Sequence, residues 1–257
     1  MTQWREIGSG IYVRRHERFD VNVGLVVGDD TCLVIDTRES LTAGRELAAA
    51  IRTITSAPWT VVNTHSHFDH FLGNAAFAPA EIWALDRCRD DIAASGEYQA
   101  RTYGDGEETP LVVPNRTYAA HAQDLNIGGR AVTLHHLGRG HTDNDTVISA
   151  DGVVFAGDLV EEGAPPAFED AYPMEWPGTI DALLRLVGGP VVPGHGDVVD
   201  RDFVTAQRTL LEAVRDVARS GAGPDDWART ALPERAGRVA LDRARRQLDG
   251  RLSSRPD

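Results

Sequence analysis

Short apolar runs at the start of the chain alternate with longer stretches of helical periodicity. Ile11-Tyr12-Val13, Val21 to Val27 and Thr31 to Ile35 are β-rich, and Gly28-Asp29-Asp30 between the last two is a hairpin-turn sequence. Helical spacing runs from Leu41 to Ile54, with Ser40 or Thr42 as its cap. Trp59 to Thr64 predicts another strand, which leads straight into His65. The alternation then returns. Asp124 to Leu137 and Thr146 to Phe155 predict strands around the Gly128-Gly129 and Asp151-Gly152 turns, Pro177 to Leu186 a helix, and Val191-Val192 a strand ending at His195. Each half thus predicts a sheet with helices on one face. Two such halves packed sheet to sheet give an α/β fold, a four-layer α/β/β/α sandwich, in which every apolar face is covered.

Arg201 to Arg219 and Glu234 to Leu252 are helical and charged, with Gly221-Ala222-Gly223-Pro224 as the break between them. Residues 1–200 are therefore expected to form one domain, with residues 201–257 as C-terminal helices packed on it or extending it. The tail Ser253 to Asp257 is expected to be disordered. The pattern weakens between Gly96 and Asn115, where Tyr103 to Pro110 is polar and glycine-bearing and predicts a surface loop. A second irregular segment, Glu161 to Pro177, holds four prolines together with Phe168, Tyr172, Met174 and Trp176. Aromatic residues in a proline-stiffened loop form either the wall of a substrate pocket, with Phe168, Tyr172 and Trp176 as its lining, or a plug at the edge of the core.

Composition narrows the function. Apolar residues make up 42% of the 257 positions, enough for a substantial core. The formal charge of −13 opposes any large basic surface, so nucleic acid and anionic membranes are poor partners and a small-molecule substrate is the better expectation. Cys32 and Cys88 lie far apart, which argues against a disulfide framework; Cys32 reads as a small core residue and Cys88 lies in a charged helical stretch. Neither a basic segment followed by an apolar run at the start nor a stretch of ~18 apolar residues is present, so a soluble, cytoplasmic protein is expected. The oligomeric state is left open.

The chemistry concentrates in His65-Ser66-His67-Phe68-Asp69-His70. At the end of a strand, residues 65 and 67 project to the same side, so two imidazoles can meet one ion, while the following turn brings Asp69 and His70 to a neighbouring position. Burying three histidines with an aspartate leaves several polar groups unpaired unless something coordinates them.

This HxHxDH motif resembles that of the metallo-β-lactamase superfamily, and the resemblance continues in order through Gly140-His141-Thr142, Ala156-Gly157-Asp158 and Pro193-Gly194-His195-Gly196. It implies the sandwich fold of that family. It also implies two metal ions, zinc foremost with iron or manganese as other occupants: His65, His67 and His141 on the first, Asp69, His70 and His195 on the second, and Asp158 bridging both. Two ions about 3.5–4 Å apart can acidify a shared water toward neutrality and polarise the group under attack. Asp69 would in addition orient the nucleophile and receive its proton, as the catalytic residue.

Two details select among branches of the family. His67 stands where the oxygen-reducing diiron branch has Glu, and Asp158 makes the chain resemble glyoxalase II, lactonases and phosphodiesterases more than true β-lactamases. The stretch after His195 is expected to be too short for the glutathione-binding helical domain of glyoxalase II, and the basic or inserted domains of the RNA-processing branches are not expected here. The expected activity is hydrolysis of an ester, thioester or lactone. A mononuclear-iron persulfide dioxygenase, a β-lactam hydrolase and a non-catalytic metal-binding protein are the alternatives. Asp36, Asp143 and Asp145 are candidates for hydrogen bonds to the ligand histidines, with turn or cap roles as the alternative for the last two. Arg139 is either a contact for an anionic substrate or a surface charge, and His16, His121, His135 and His136 are expected to be structural or solvated.

Overall fold

In the computed structural model, residues 3–104, 106 and 109–252 are described; the expected tail Ser253 to Asp257 and Asp105, Glu107 and Glu108 of the expected surface loop lie outside them. The strands form two sheets. The first contains β1 (Arg5–Gly8), β2 (Ile11–Arg15), β3 (Asn22–Val27), β4 (Cys32–Ile35), β5 (Trp59–Val62), β6 (Ile82–Leu85) and β7 (Arg116–Tyr118), side by side in chain order. Its first half is antiparallel, and from β4 to β7 the strands run parallel. The second contains β8 (Ala122–Ile127), β9 (Arg130–His135), β10 (Val147–Ala150), β11 (Val153–Glu161) and β12 (Val191–His195), antiparallel except for the β11–β12 pair.

Alternation along the strands decides which side chains meet. In β4, Leu33 and Ile35 point between the sheets, where they join Val132, Leu134, Ile148 and Phe155, while Cys32 and Val34 point outward to Leu47 and Ile51 of α1 (Leu41–Ile51). The outer face of the second sheet is covered by α4 (Trp176–Leu184), α5 (Arg201–Arg219) and α6 (Glu234–Leu248), through Ile180, Leu183, Leu211, Val214, Ala240 and Leu241. The result is the four-layer α/β/β/α sandwich. Among the described residues no helix is long and apolar enough to cross a membrane.

Local signals explain the helix starts. Ser40 caps α1 by accepting from the Ala43 N–H at 3.1 Å, and Asp200 caps α5 by accepting from the Phe203 N–H at 3.0 Å. One expectation needs correction. The segment expected to lose its pattern after Gly96 remains helical as far as Tyr103, because α3 (Asp86–Tyr103) is anchored by Cys88, Ile92 and Gly96 on its buried face. Cys88 is correspondingly buried despite its charged neighbours.

The two sheets pack closely where β3 faces β11. A Cβ on Gly24 would fall 2.5 Å from Phe155 Cε1. Gly24→Val should therefore overpack this contact and lower the unfolding free energy by about 1–3 kcal/mol, read as a lower urea midpoint. Wild-type stability in that variant would show that Phe155 has room to retreat.

Candidate metal centre

Strand ends from both sheets meet at one edge of the sandwich. Asp36, immediately after β4, adopts a left-handed backbone (φ 64°). From there its buried carboxylate accepts from the Thr64 N–H, the Thr64 hydroxyl and His70 Nδ1, each at 2.8 Å. The Thr64 oxygen in turn faces His65 Nδ1 at 3.0 Å. One carboxylate thereby fixes the loop after β5 and orients two imidazoles. The other histidines are anchored separately: His195 Nδ1 lies 2.7 Å from the Phe19 carbonyl, His67 Nε2 2.8 Å from Asp170 Oδ2, and His141 Nδ1 3.5 Å from Asp145 Oδ1.

The free edges of these rings converge. His65, His67, His141 and Asp158 make one group and Asp69, His70 and His195 another, with the ligand-type atoms of each group within 4.8 Å of one another. Asp158 stands between the groups. Its Oδ1 is 3.2 Å from His70 Nε2, and its Oδ2 is 3.2 Å from His195 Nε2, 3.6 Å from His65 Nε2 and 3.7 Å from His141 Nε2. Gly194 makes room for it, since a Cβ there would fall 1.8 Å from Asp158 Oδ1. Asp69 Oδ2 faces His195 Nε2 at 3.5 Å and His70 Nε2 at 3.8 Å.

The electrostatics call for positive charge. Burial pushes the Asp158 carboxyl up, but His70, His195, His65 and His141 together hold it well below the usual carboxylate range. Burial opposes a proton on His141 and His195, yet Asp158 outweighs it and raises them to about 10 and about 9. His70 is likewise raised, against burial, by Asp158, Asp69 and Asp36. His65 goes the other way, held low by burial and then by its neighbour His70. His65 Nε2, His70 Nε2 and Asp158 Oδ1 are buried with no hydrogen-bond partner. Unpartnered buried nitrogens and a carboxylate oxygen aimed at one another fit divalent cations, and the imidazole-rich donor set suits metals of the zinc class.

Some candidates fall elsewhere. Phe168, Tyr172 and Trp176, read as either pocket lining or a plug at the core edge, are 1%, 5% and 0% exposed, which fits the plug. Trp176 packs against the His141 ring at 6.0 Å and donates to the Leu159 carbonyl, which gives it a supporting place behind the cluster. Asp143 accepts from Asn144 and touches no cluster histidine, whereas Asp145 accepts from the Thr142 N–H and hydroxyl at 2.8 Å. Arg139 is engaged by Glu175 and lies over the Tyr172 ring. His16 is buried and held down to about 3 by burial and by Arg38 and Arg14, while His135 and His136 bond to Ser149 and to the Asp145 carbonyl.

The structure also adds residues that spacing did not reveal. Asp170 holds His67 from 103 positions away in the chain. Glu161 is buried and raised to about 7 by burial and by Asp158. Next to His67 in the chain, Phe68 packs edge-on to Phe19 at 5.0 Å and stacks on Tyr103 at 4.9 Å, and Phe19 and Tyr103 are 42% and 47% exposed.

A family profile described as the metallo-beta-lactamase superfamily matches residues 16–195. The chain is 28% identical to a metallo-beta-lactamase type 2 of Bacillus cereus, over 59% of this chain and 57% of that protein. It is 26% identical to the 2,4-dinitroanisole O-demethylase subunit alpha of Nocardioides sp. (strain JS1661), over 79% of this chain and 62% of that protein. The chain thus spans about three-fifths of the length of these relatives. Among solved structures, a metallo-beta-lactamase from Pontibacter korlensis matches 82% of this chain and 98% of its own, with a TM-score of 0.70 and 22% identity. The mono-zinc form of the metallo-beta-lactamase FIM-1 from Pseudomonas aeruginosa matches 82% and 94%, with a TM-score of 0.67 and 19% identity. At these identities the structural likeness establishes the fold.

The raised histidines predict how the chelated protein responds to pH. Their contribution to stability is complete below about 6.5, the unfolded value, and is lost as pH rises through about 9 and about 10. Asp158 acts at the other end: its contribution is present above the unfolded carboxyl value and is lost as pH falls toward its depressed folded one. The Tm of chelator-treated protein should fall between neutral pH and about 10, and zinc should flatten that fall by replacing protons as the positive charge. An unchanged alkaline Tm without metal would refute the electrostatic account.

Proposed function

The chain belongs to the metallo-beta-lactamase superfamily, and on that premise we propose that it is a hydrolase that binds two divalent ions, zinc foremost, and acts on a small ester, thioester or lactone. The observation that carries this reading is the convergence of buried, unpartnered His65 Nε2, His70 Nε2 and Asp158 Oδ1 inside a cluster whose histidines are oriented from outside. His65, His67 and His141 would hold the first ion, Asp69, His70 and His195 the second, and Asp158 both. Placement of Asp158 within 3.2–3.7 Å of four histidines supports its bridging role. Residues 201–257 are taken as an extension of the same domain, supported by the core that α5 and α6 share with α4.

When bound, such ions supply an acidified water and a Lewis acid for the substrate oxygen. The protein supplies orientation and proton handling. Asp69 turns Oδ2 toward His195 and His70, which leaves Oδ1 to align the attacking water and take its proton. Phe19, Phe68 and Tyr103 form an apolar rim against which the body of the substrate packs. Because the Phe19 carbonyl bonds His195, the rim is tied directly to the cluster.

A second reading, cleavage of a nitroaryl methyl ether, is favoured by the similarity to a protein named for O-demethylation of 2,4-dinitroanisole and by the exposed rings of the rim. A panel of aryl esters, thioesters, lactones, a chromogenic cephalosporin and a nitroaryl methyl ether, assayed under air and argon with a chelated control, separates the readings. Ester, thioester or lactone turnover should be highest, independent of oxygen and lost on chelation. Strict oxygen dependence would instead point to a mononuclear-iron dioxygenase, and a cephalosporin or ether preference of several orders of magnitude would replace the substrate class.

Two substitutions test the residue roles. Asp69→Asn should lower kcat by about 10²–10⁴-fold while the first ion, counted by elemental analysis, stays bound. Phe68→Ala should raise KM with metal content unchanged. Full turnover in Asp69→Asn would remove Asp69 from the chemistry, and an unaltered KM in Phe68→Ala would remove the rim from substrate binding.

A further inference from the structure

The segment between β11 and α4 carries Asp170 to the metal cluster, and helix α6 holds that segment from behind. Asp170 Oδ2 lies 2.8 Å from His67 Nε2. The backbone carbonyl of the same residue accepts from Arg243 Nη2 at 2.7 Å, and the next carbonyl, of Ala171, accepts from Arg243 Nε at 2.8 Å. One helical turn on, Gln247 accepts from the Met174 N–H at 2.9 Å and donates to Glu175 at 2.9 Å. Arg243 and Gln247 are spaced i,i+4, so one face of α6 clamps successive parts of the segment. The other side is fixed as well: the Tyr172 N–H donates to the Gly140 carbonyl at 2.8 Å, next to His141.

Arg243 is only 7% exposed. A buried guanidinium is costly unless its N–H groups are matched, and here the planar fork spans two consecutive carbonyls, an arrangement a lysine cannot reproduce. That geometry fixes the backbone at Asp170 and not merely the helix against the core. The path from α6 to His67 is short: guanidinium to carbonyl, then carboxylate to imidazole.

We propose that Asp170 is a positioning residue for His67, and that α6, through Arg243 and Gln247, sets the metal affinity of the first position by holding Asp170 in place. The inference rests on the metal reading above. With Nε2 donating to Asp170, His67 keeps its proton on that nitrogen and turns Nδ1, as the lone-pair donor, toward His65, His141 and Asp158. Loss of the carboxylate frees the ring to rotate and makes Nδ1 a weaker donor. Loss of Arg243 loosens the segment and weakens the same contact indirectly. Helix α6 lies outside the stretch that matches the family profile, so this control of the site belongs to the chain's own C-terminal helices.

The test uses the full-length protein and metal alone as the probe. Zinc affinity of each position is measured by chelator competition, the visible spectrum is recorded after cobalt substitution, and folding is checked by near-UV circular dichroism. Asp170→Ala should weaken one of the two positions by roughly 10–100-fold, alter the cobalt spectrum and leave the other position unchanged. Asp170→Asn, whose amide oxygen still accepts from Nε2, should lose less. Arg243→Ala should weaken the same position by a smaller factor, and should add nothing in the Asp170→Ala background. Should Arg243→Ala fail to fold, Arg243→Lys and Gln247→Ala carry the same expectation in milder form. Native affinity and spectrum in Asp170→Ala would overturn the positioning role. An Arg243 effect of equal size with and without Asp170 would overturn the link to α6. Wild-type protein that takes up no metal would overturn the metal reading itself, and this inference with it.

Discussion

Asp158 is a buried carboxylate surrounded by four imidazoles, and the arrangement of this edge of the sandwich follows from the need to hold it there. An ionised group removed from water is stable only when opposite charge and hydrogen bonds replace its solvent. The nearest candidates come from three places in the chain: the loop after β5, the turn before β10, and the end of β12. Each must approach within about 3–4 Å, a distance at which positive charge interacts strongly in a partly buried site. Gly194 lacks a side chain because the carboxylate occupies that space, and β11 carries Asp158 just after an irregularity in its pairing with β12 at Gly157, whose φ is 54°.

The histidines meet this demand only because each is held from outside. Asp36, Thr64, Asp170 and the Phe19 carbonyl take one ring nitrogen each, and Asp145 faces His141 Nδ1 across 3.5 Å without a hydrogen bond. That division of labour fixes tautomer and ring orientation before any ion arrives. It also ties the centre to both sheets, since Phe19 precedes β3 and Asp36 follows β4 of the first, while Asp170 follows β11 of the second. The polar edge is offset by three apolar clusters, one between the sheets and one under the helices on each outer face, which carry the stability the site itself does not provide.

Legibility from sequence followed locality. The segment His65 to His70 could be read because its side chains are brought together by strand and turn geometry over a few residues. The strands that lead to His65 and end at His195 announced themselves by β-branched runs, and α5 by its caps and periodicity. Asp170 could not be read, because its partner His67 lies 103 positions away and nothing in its own neighbourhood marks a metal site. The same holds for Phe19, joined to His195 across 176 positions through a backbone carbonyl, which no side-chain pattern encodes. Aromatic content left two roles open for Phe168, Tyr172 and Trp176: composition identified an apolar cluster, but only packing decides whether it faces a cavity or fills the core. The short parallel strands β6 and β7 were hidden for a related reason, as their burial is conferred by neighbours and not by alternation.

Backbone conformation around the site carries a further consequence of this design. Phe19, Asp20, Asp36 and Arg38 all adopt positive φ, between 58° and 77°. Such conformations are unfavourable for residues with a Cβ and persist only where surrounding bonds over-determine them. Here those bonds are present: Asp36 is fixed by Thr64 and His70, Asp20 is paired with Arg15, Arg38 with Glu39, and the Phe19 carbonyl is held by His195. The strain and the site therefore depend on each other. At Asp36 and Phe19 the hydrogen bonds that orient the imidazoles are the same ones that hold the backbone in a conformation the free chain would avoid. Loss of an orienting partner should thus loosen the turn that carries it as well as the ring it holds, which explains why so small a cluster is served by so many otherwise unremarkable loop residues.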